Sequence, residues 1–137
     1  MLFRSNIWRS SRRSSTNAWP ERSQFDMPHY FCKLRPPRPT FISDMTSEEA
    51  QIMRAHREYW TPQVETGVVI AMGPVADPNG GYGVAIIEAA SEAALEAMQE
   101  ADPVIAAGRG FAYENCRMMG IAVRPSQPLA PITSVSP

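Results

Sequence analysis

Residues 68–88 read VVIAMGPVADPNGGYGVAIIE. Val68-Val69-Ile70-Ala71-Met72 is a β-branched apolar run, which predicts a strand. Asp77-Pro78-Asn79-Gly80-Gly81 is turn chemistry, and Asn-Gly is a strong hairpin signal. Tyr82 to Glu88 then supplies a second strand. This hairpin is the centre from which the rest of the chain is read.

Upstream, Thr46-Ser47-Glu48-Glu49 is a capping box. The Thr46 hydroxyl accepts from the Glu49 amide, and the Glu49 side chain reaches back to the Thr46 amide. The box predicts a helix from Ser47 toward Glu65. Gly67 is placed to end it in a left-handed turn. Pro62 is expected to bend or locally break it. Before the helix, Pro28 to Leu34 reads as a strand with Tyr30, Cys32 and Leu34 on one face. Arg35-Pro36-Pro37-Arg38-Pro39 opens a loop that runs to Thr46, because proline offers no ladder donor.

Downstream, Ser91 caps a second helix from Glu92 to about Glu100, with Ala94, Leu95 and Met98 as its core stripe. Asp102-Pro103 restarts a short helical turn, with Asp as cap and Pro at the first helical position. Gly108 closes it, and Phe111 to about Val123 is expected as the last strand. The order β-α-β-β-α-β is the ferredoxin-like α+β arrangement, an antiparallel sheet with both helices on one face. The strands at Val68–Met72 and Val84–Ile87 are nonetheless apolar on both faces. An uncovered apolar sheet face marks an interface, so a homodimer packing sheet on sheet is expected.

The chain has 137 residues, enough for one domain and too few for a second. Hydrophobic residues make up 44%, so a core can form. The formal net charge of −1 gives no overall pull toward nucleic acid or an anionic membrane. No uncharged apolar run is long enough to span a bilayer. Cys32 and Cys116 lie in strand-like stretches and lack a Cys or His at metal-ligand spacing, which predicts two buried free thiols in a cytoplasmic protein. No metal or cofactor is expected.

Three segments follow. Residues 1–27 are rich in Arg and Ser, without the apolar stretch of a secretory signal, and are expected as a disordered extension. Met27, just before the first strand-like run, is read as an alternative start. Residues 28–124 carry the fold. Residues 125–137, with prolines at 125, 128, 131 and 137, are expected as a flexible tail.

Several local features now line up. Arg54-Ala55-His56-Arg57-Glu58-Tyr59-Trp60 lies in the first helix, which ends in Glu65-Thr66-Gly67. Gly73-Pro74-Val75-Ala76-Asp77 follows the second strand. Gly83-Val84-Ala85-Ile86-Ile87-Glu88 and Asp102-Pro103-Val104-Ile105-Ala106-Ala107-Gly108 come after. In order and spacing the chain resembles the YCII-related (YciI-like) family of the dimeric α+β barrel superfamily. The resemblance implies a dimeric barrel and a His–Asp active site, and at least one relative dehydrochlorinates a chlorinated hydroxyquinol. Carried over, the pair falls on His56 and Asp77.

His56 shares a helix face with Ile52, Met53 and Trp60, so an apolar stripe presents a titratable imidazole. Asp77, at the edge of the turn, is placed to accept from one ring nitrogen. The competing structural reading makes His56 a satisfied core histidine and Asp77 an ordinary turn residue. Tyr59, Trp60 and Tyr82 are candidate substrate contacts, against ordinary packing. The leading reading is a cofactor-independent lyase- or isomerase-like enzyme acting on a small cyclic molecule by proton abstraction. The alternative is a dimeric small-molecule-binding or accessory domain without catalysis.

Overall fold

The computed structural model describes residues 27–125; the expectations for residues 1–26 and 126–137 lie outside it. The elements are β1 (His29–Arg35), α1 (Phe41–Asp44), α2 (Ser47–Glu65), β2 (Val69–Val75), β3 (Tyr82–Glu88), α3 (Glu92–Glu100), α4 (Pro103–Ala106) and β4 (Ala112–Arg117). The four strands form one sheet in the order β2-β3-β1-β4, and every neighbouring pair is antiparallel. This is the ferredoxin-like α+β topology.

Local signals placed the main helices. Thr46 and Glu49 form the reciprocal capping box, and Ser91 caps α3 by accepting from the Ala94 amide. Gly67 sits at φ 90°, a left-handed position that favours glycine, where α2 hands over to β2. Helix α2 continues through Pro62 to Glu65, so the break does not occur. Only one intrahelical donor is lost at a proline, and the next turn is already closed by Thr66 donating to the Pro62 carbonyl at 3.0 Å.

The core lies between one sheet face and the helices. Tyr30 and Cys32 of β1, Val69 of β2 and Ile87 of β3 pack with Ala89, Trp60 of α2 and Leu95 of α3. Trp60 is only 2% exposed. Burying an indole of that size is worth about 3–5 kcal/mol, judged by truncation to Ala in other cores. A reciprocal amide pair ties α3 to β4: Gln99 donates to Asn115 at 2.9 Å and Asn115 donates back at 2.8 Å.

Four local expectations need correction. Strand β2 runs through Pro74 to Val75, which an edge strand permits because the missing donor can face away from the sheet. Strand β4 stops at Arg117 rather than near Val123. Its partner β1 begins at His29, whose carbonyl takes the Met118 amide, so no ladder remains beyond that point. The loop before α2 contains α1, held by Phe41 packing edge-on against Phe111 at 5.1 Å. Finally, Cys32 is buried but Cys116 is exposed. Cys116 pairs directly with Phe31 and so points to the sheet face without helices.

Arg38 clamps α1 to the start of α2. It donates to both oxygens of Glu49 at 2.8 Å and to Asp44 at 2.7 Å. The guanidinium, with the Thr46 amide, holds the Glu49 carboxyl down at about 2. A depressed carboxyl contributes stability above its ordinary value and loses it as pH falls through the folded one. The clamp is therefore full above pH 4.5 and fades toward 2. Acid unfolding of Glu49→Gln, followed by circular dichroism, is expected to lack this component and to vary less with pH across that window.

Candidate active site

Asp102 occupies the junction between α3 and α4 and is fully buried, at 0% exposure. An isolated carboxylate there would be very costly, so the surrounding donors decide what it is. Four groups supply them. The Val104 amide donates to Oδ1 at 3.1 Å, which is the N-cap bond of α4. Trp60 Nε1 donates to Oδ2 at 2.8 Å and the Tyr113 hydroxyl donates to Oδ2 at 2.5 Å. His56 Nδ1 lies 2.9 Å from both oxygens.

Burial works to raise the Asp102 carboxyl, but the hydrogen bonds from His56, Trp60 and Tyr113 outweigh it and hold the group below its ordinary range. The acid is thus ionised near neutral pH and can only accept. That fixes the imidazole: Nδ1 carries the proton and donates to Asp102. Burial, then the bond to Asp102, pushes the Tyr113 hydroxyl well above its usual range, so it stays a donor.

His56 itself is 9% exposed. Among the described residues, its Nε2 has no hydrogen-bond partner. The only sealed and unpaired side-chain polar atom there is Nδ1 of His29, so Nε2 of His56 keeps a path to solvent. An oriented imidazole with a saturated Nδ1 and an open Nε2 can take up or deliver a proton.

The structure does not pair His56 with Asp77. The Asp77 carboxylate accepts from the Asn79 amide at 2.8 Å, and its carbonyl accepts from the Gly80 amide at 3.0 Å, both inside the β2–β3 turn. These bonds are the ordinary work of an Asp that opens a turn. The carboxylate that meets His56 comes from Asp102 instead.

Trp60 and Tyr59 are also occupied by structure. Trp60 spends its N–H on Asp102, and the Tyr59 hydroxyl donates to the Met98 carbonyl at 2.8 Å. The two rings meet edge to face at 5.1 Å. Tyr82 lies in β3 with the parity of Val84, on the sheet face opposite the helices, beneath the Lys33 ammonium at 4.4 Å. Within one chain it is therefore separated from His56 by the sheet.

Two residues escaped the sequence reading. From local signals Asp102 is only the cap of α4, and Tyr113 is one more strand residue. A signal for both existed. Tyr113 aligns with Leu34, and Asn115 with Cys32, so β4 turns polar side chains toward the core. A polar side chain on a core face calls for a buried partner.

No group of three His, Cys, Asp or Glu side chains among the described residues is placed to hold a metal ion. No helix among them is long and apolar enough to cross a membrane. Among known families, the YCII-related domain matches this chain over residues 30–118. No curated protein and no solved structure gives a significant match.

Proposed function

The chain belongs to the YCII-related family, and from that premise we propose a small enzyme that moves a proton on a small cyclic organic substrate, in a lyase- or isomerase-like reaction. His56 is the general base or acid, and Asp102, in place of Asp77, is the carboxylate that orients it. One observation carries this reading: Asp102 takes Nδ1 of His56 and leaves Nε2 open. A histidine serving packing alone has no need of a fully buried, ionised acceptor on one nitrogen and a free lone pair on the other.

Abstraction of a proton next to a ring carbonyl or hydroxyl needs one such base. The proton passes from carbon to Nε2, giving an imidazolium that the Asp102 charge stabilises. It then returns to carbon elsewhere in an isomerisation, or passes to water as a leaving group departs in an elimination. The direct test is deuterium exchange. Cyclic ketones and hydroxyquinols incubated with the protein in heavy water should gain deuterium at the acidic carbon. Absence of exchange across such a panel, with ligands bound but unchanged, would favour a binding domain.

The second element of the reading is a homodimer through the open sheet face in a cytoplasmic protein. That face carries Phe31 of β1, Val84 and Ile86 of β3, and Cys116 of β4 in register. A second copy packing there would remove these side chains from water. Ile86→Lys puts a charge at the centre of the face and is expected to give a folded monomer. Light scattering of the eluted protein reads the mass, and an unchanged dimer would place the contact elsewhere.

A further inference from the structure

Asp102 is more heavily hydrogen-bonded than a partner for one imidazole needs to be. Orienting His56 takes one acceptor. Yet Oδ2 also receives Trp60 Nε1 at 2.8 Å from α2 and the Tyr113 hydroxyl at 2.5 Å from β4. The Tyr113 bond is the shortest of the set and is anchored by the β4–β1 ladder, where Tyr113 pairs with Leu34.

We propose that Tyr113 is a positioning residue that sets the basicity of His56 by drawing charge from the carboxylate the two share. Neutral donors spread the negative charge of a carboxylate over their own dipoles. A carboxylate so satisfied stabilises a neighbouring imidazolium less. With Tyr113 in place, His56 gains orientation from Asp102 without being locked in its protonated form. That is the condition a proton shuttle needs near neutral pH.

The titratable groups around the pair come from several elements. Asp102 comes from the α3–α4 junction, Tyr113 from β4, Tyr59 from α2 itself and Cys32 from β1. Tyr59 and Cys32 are neutral at working pH, since burial raises the Tyr59 hydroxyl and pushes the Cys32 thiol up to about 12. Strand β2 and helix α4, which both pack on α2, carry no ionisable side chain. The charge His56 meets is therefore that of Asp102, and the donors on Asp102 are what modulate it.

The inference rests on the reading of His56 as the proton-transfer group, but its test needs no substrate. The His56 ring is titrated by nuclear magnetic resonance in wild type and in Tyr113→Phe. Loss of the hydroxyl should return charge to His56 and raise its midpoint. The acid limb of any rate profile should move up with it. Should Tyr113→Phe fail to fold, a ring-fluorinated tyrosine introduced at position 113 keeps the shape and donates more strongly, so the midpoint should fall. A purely structural Tyr113 would alter stability and leave the midpoint in place. An unmoved midpoint, or a shift of opposite sign, overturns the proposal. Failure of the proton-transfer reading shows separately, as turnover that survives removal of His56.

Discussion

Asp102→Asn is expected to give a protein that folds less stably and turns over about 10³- to 10⁴-fold more slowly, the scale seen when the orienting acid of a catalytic triad is made an amide. The carboxylate accepts from Val104, Trp60, Tyr113 and His56 through two oxygens. An asparagine offers one oxygen and turns an NH₂ toward the other set of donors. With its oxygen toward Trp60 and Tyr113, the NH₂ faces the Val104 amide and Nδ1 of His56. The imidazole can relieve that clash only by moving its proton to Nε2, and the open nitrogen then ceases to be a base. Leaving buried donors unmatched costs about 1–3 kcal/mol each, so a loss of about 2–4 kcal/mol in denaturant melts is expected. Nitrogen chemical shifts of the His56 ring report the tautomer directly. An unchanged tautomer with an unchanged rate would remove Asp102 from the mechanism.

The same residue gives the site a pH signature. The Asp102 carboxyl is held low, so its contribution to stability is present above the ordinary carboxylate range and is lost as pH falls through the folded value. Acid should therefore weaken the fold at this buried junction as well as at the Arg38–Glu49 clamp. The two can be separated, because Glu49→Gln removes only the second.

What the sequence made legible was local, and what it hid was not. Thr46 and Glu49 are three residues apart, and Ser91 and Ala94 likewise, so their caps can be read from a few letters. Strand β3 matched its expected span because the Asn-Gly turn and the strand's apolar run fall side by side. By contrast, His56 and Asp102 are 46 residues apart, and Trp60 and Asp102 are 42 apart. Nothing local joins them. They meet because α2 and α4 pack on the same side of the sheet while β4 brings Tyr113 in from below. Asp77 was attractive because it ends an apolar strand in a tight turn, but that turn consumes its carboxylate. Helix α1 was hidden for the same reason as Asp102: Phe41 finds its ring partner in Phe111, far along the chain. His56 was legible because its helical spacing to Trp60 is local, and its partner was not, because partnership is tertiary.

Removing the imidazole altogether should have the largest effect on turnover. In His56→Ala the carboxylate of Asp102 keeps Trp60, Tyr113 and the Val104 amide, so the buried charge remains satisfied. A hydrogen bond to a charged group contributes about 1.5–3 kcal/mol, and with three donors still on the carboxylate its loss leaves the fold intact. The chemistry has no substitute at hand. The only other histidine, His29, lies at the start of β1, with Nε2 at 3.2 Å from Glu88 on the opposite sheet face. Deuterium exchange into an active substrate should therefore fall by about 10⁴-fold, the upper end of what a positioned general base contributes. The space left by the ring reaches solvent, since Nε2 does in the native protein. Added imidazole should enter it, donate to Asp102 as the side chain did, and restore part of the rate. Rescue that depends on Asp102, absent from the His56→Ala/Asp102→Asn double variant, would tie the two residues into one device. A His56→Ala protein that exchanges at the wild-type rate would instead make the imidazole a packing element, and the reading of this site as an enzyme would fall with it.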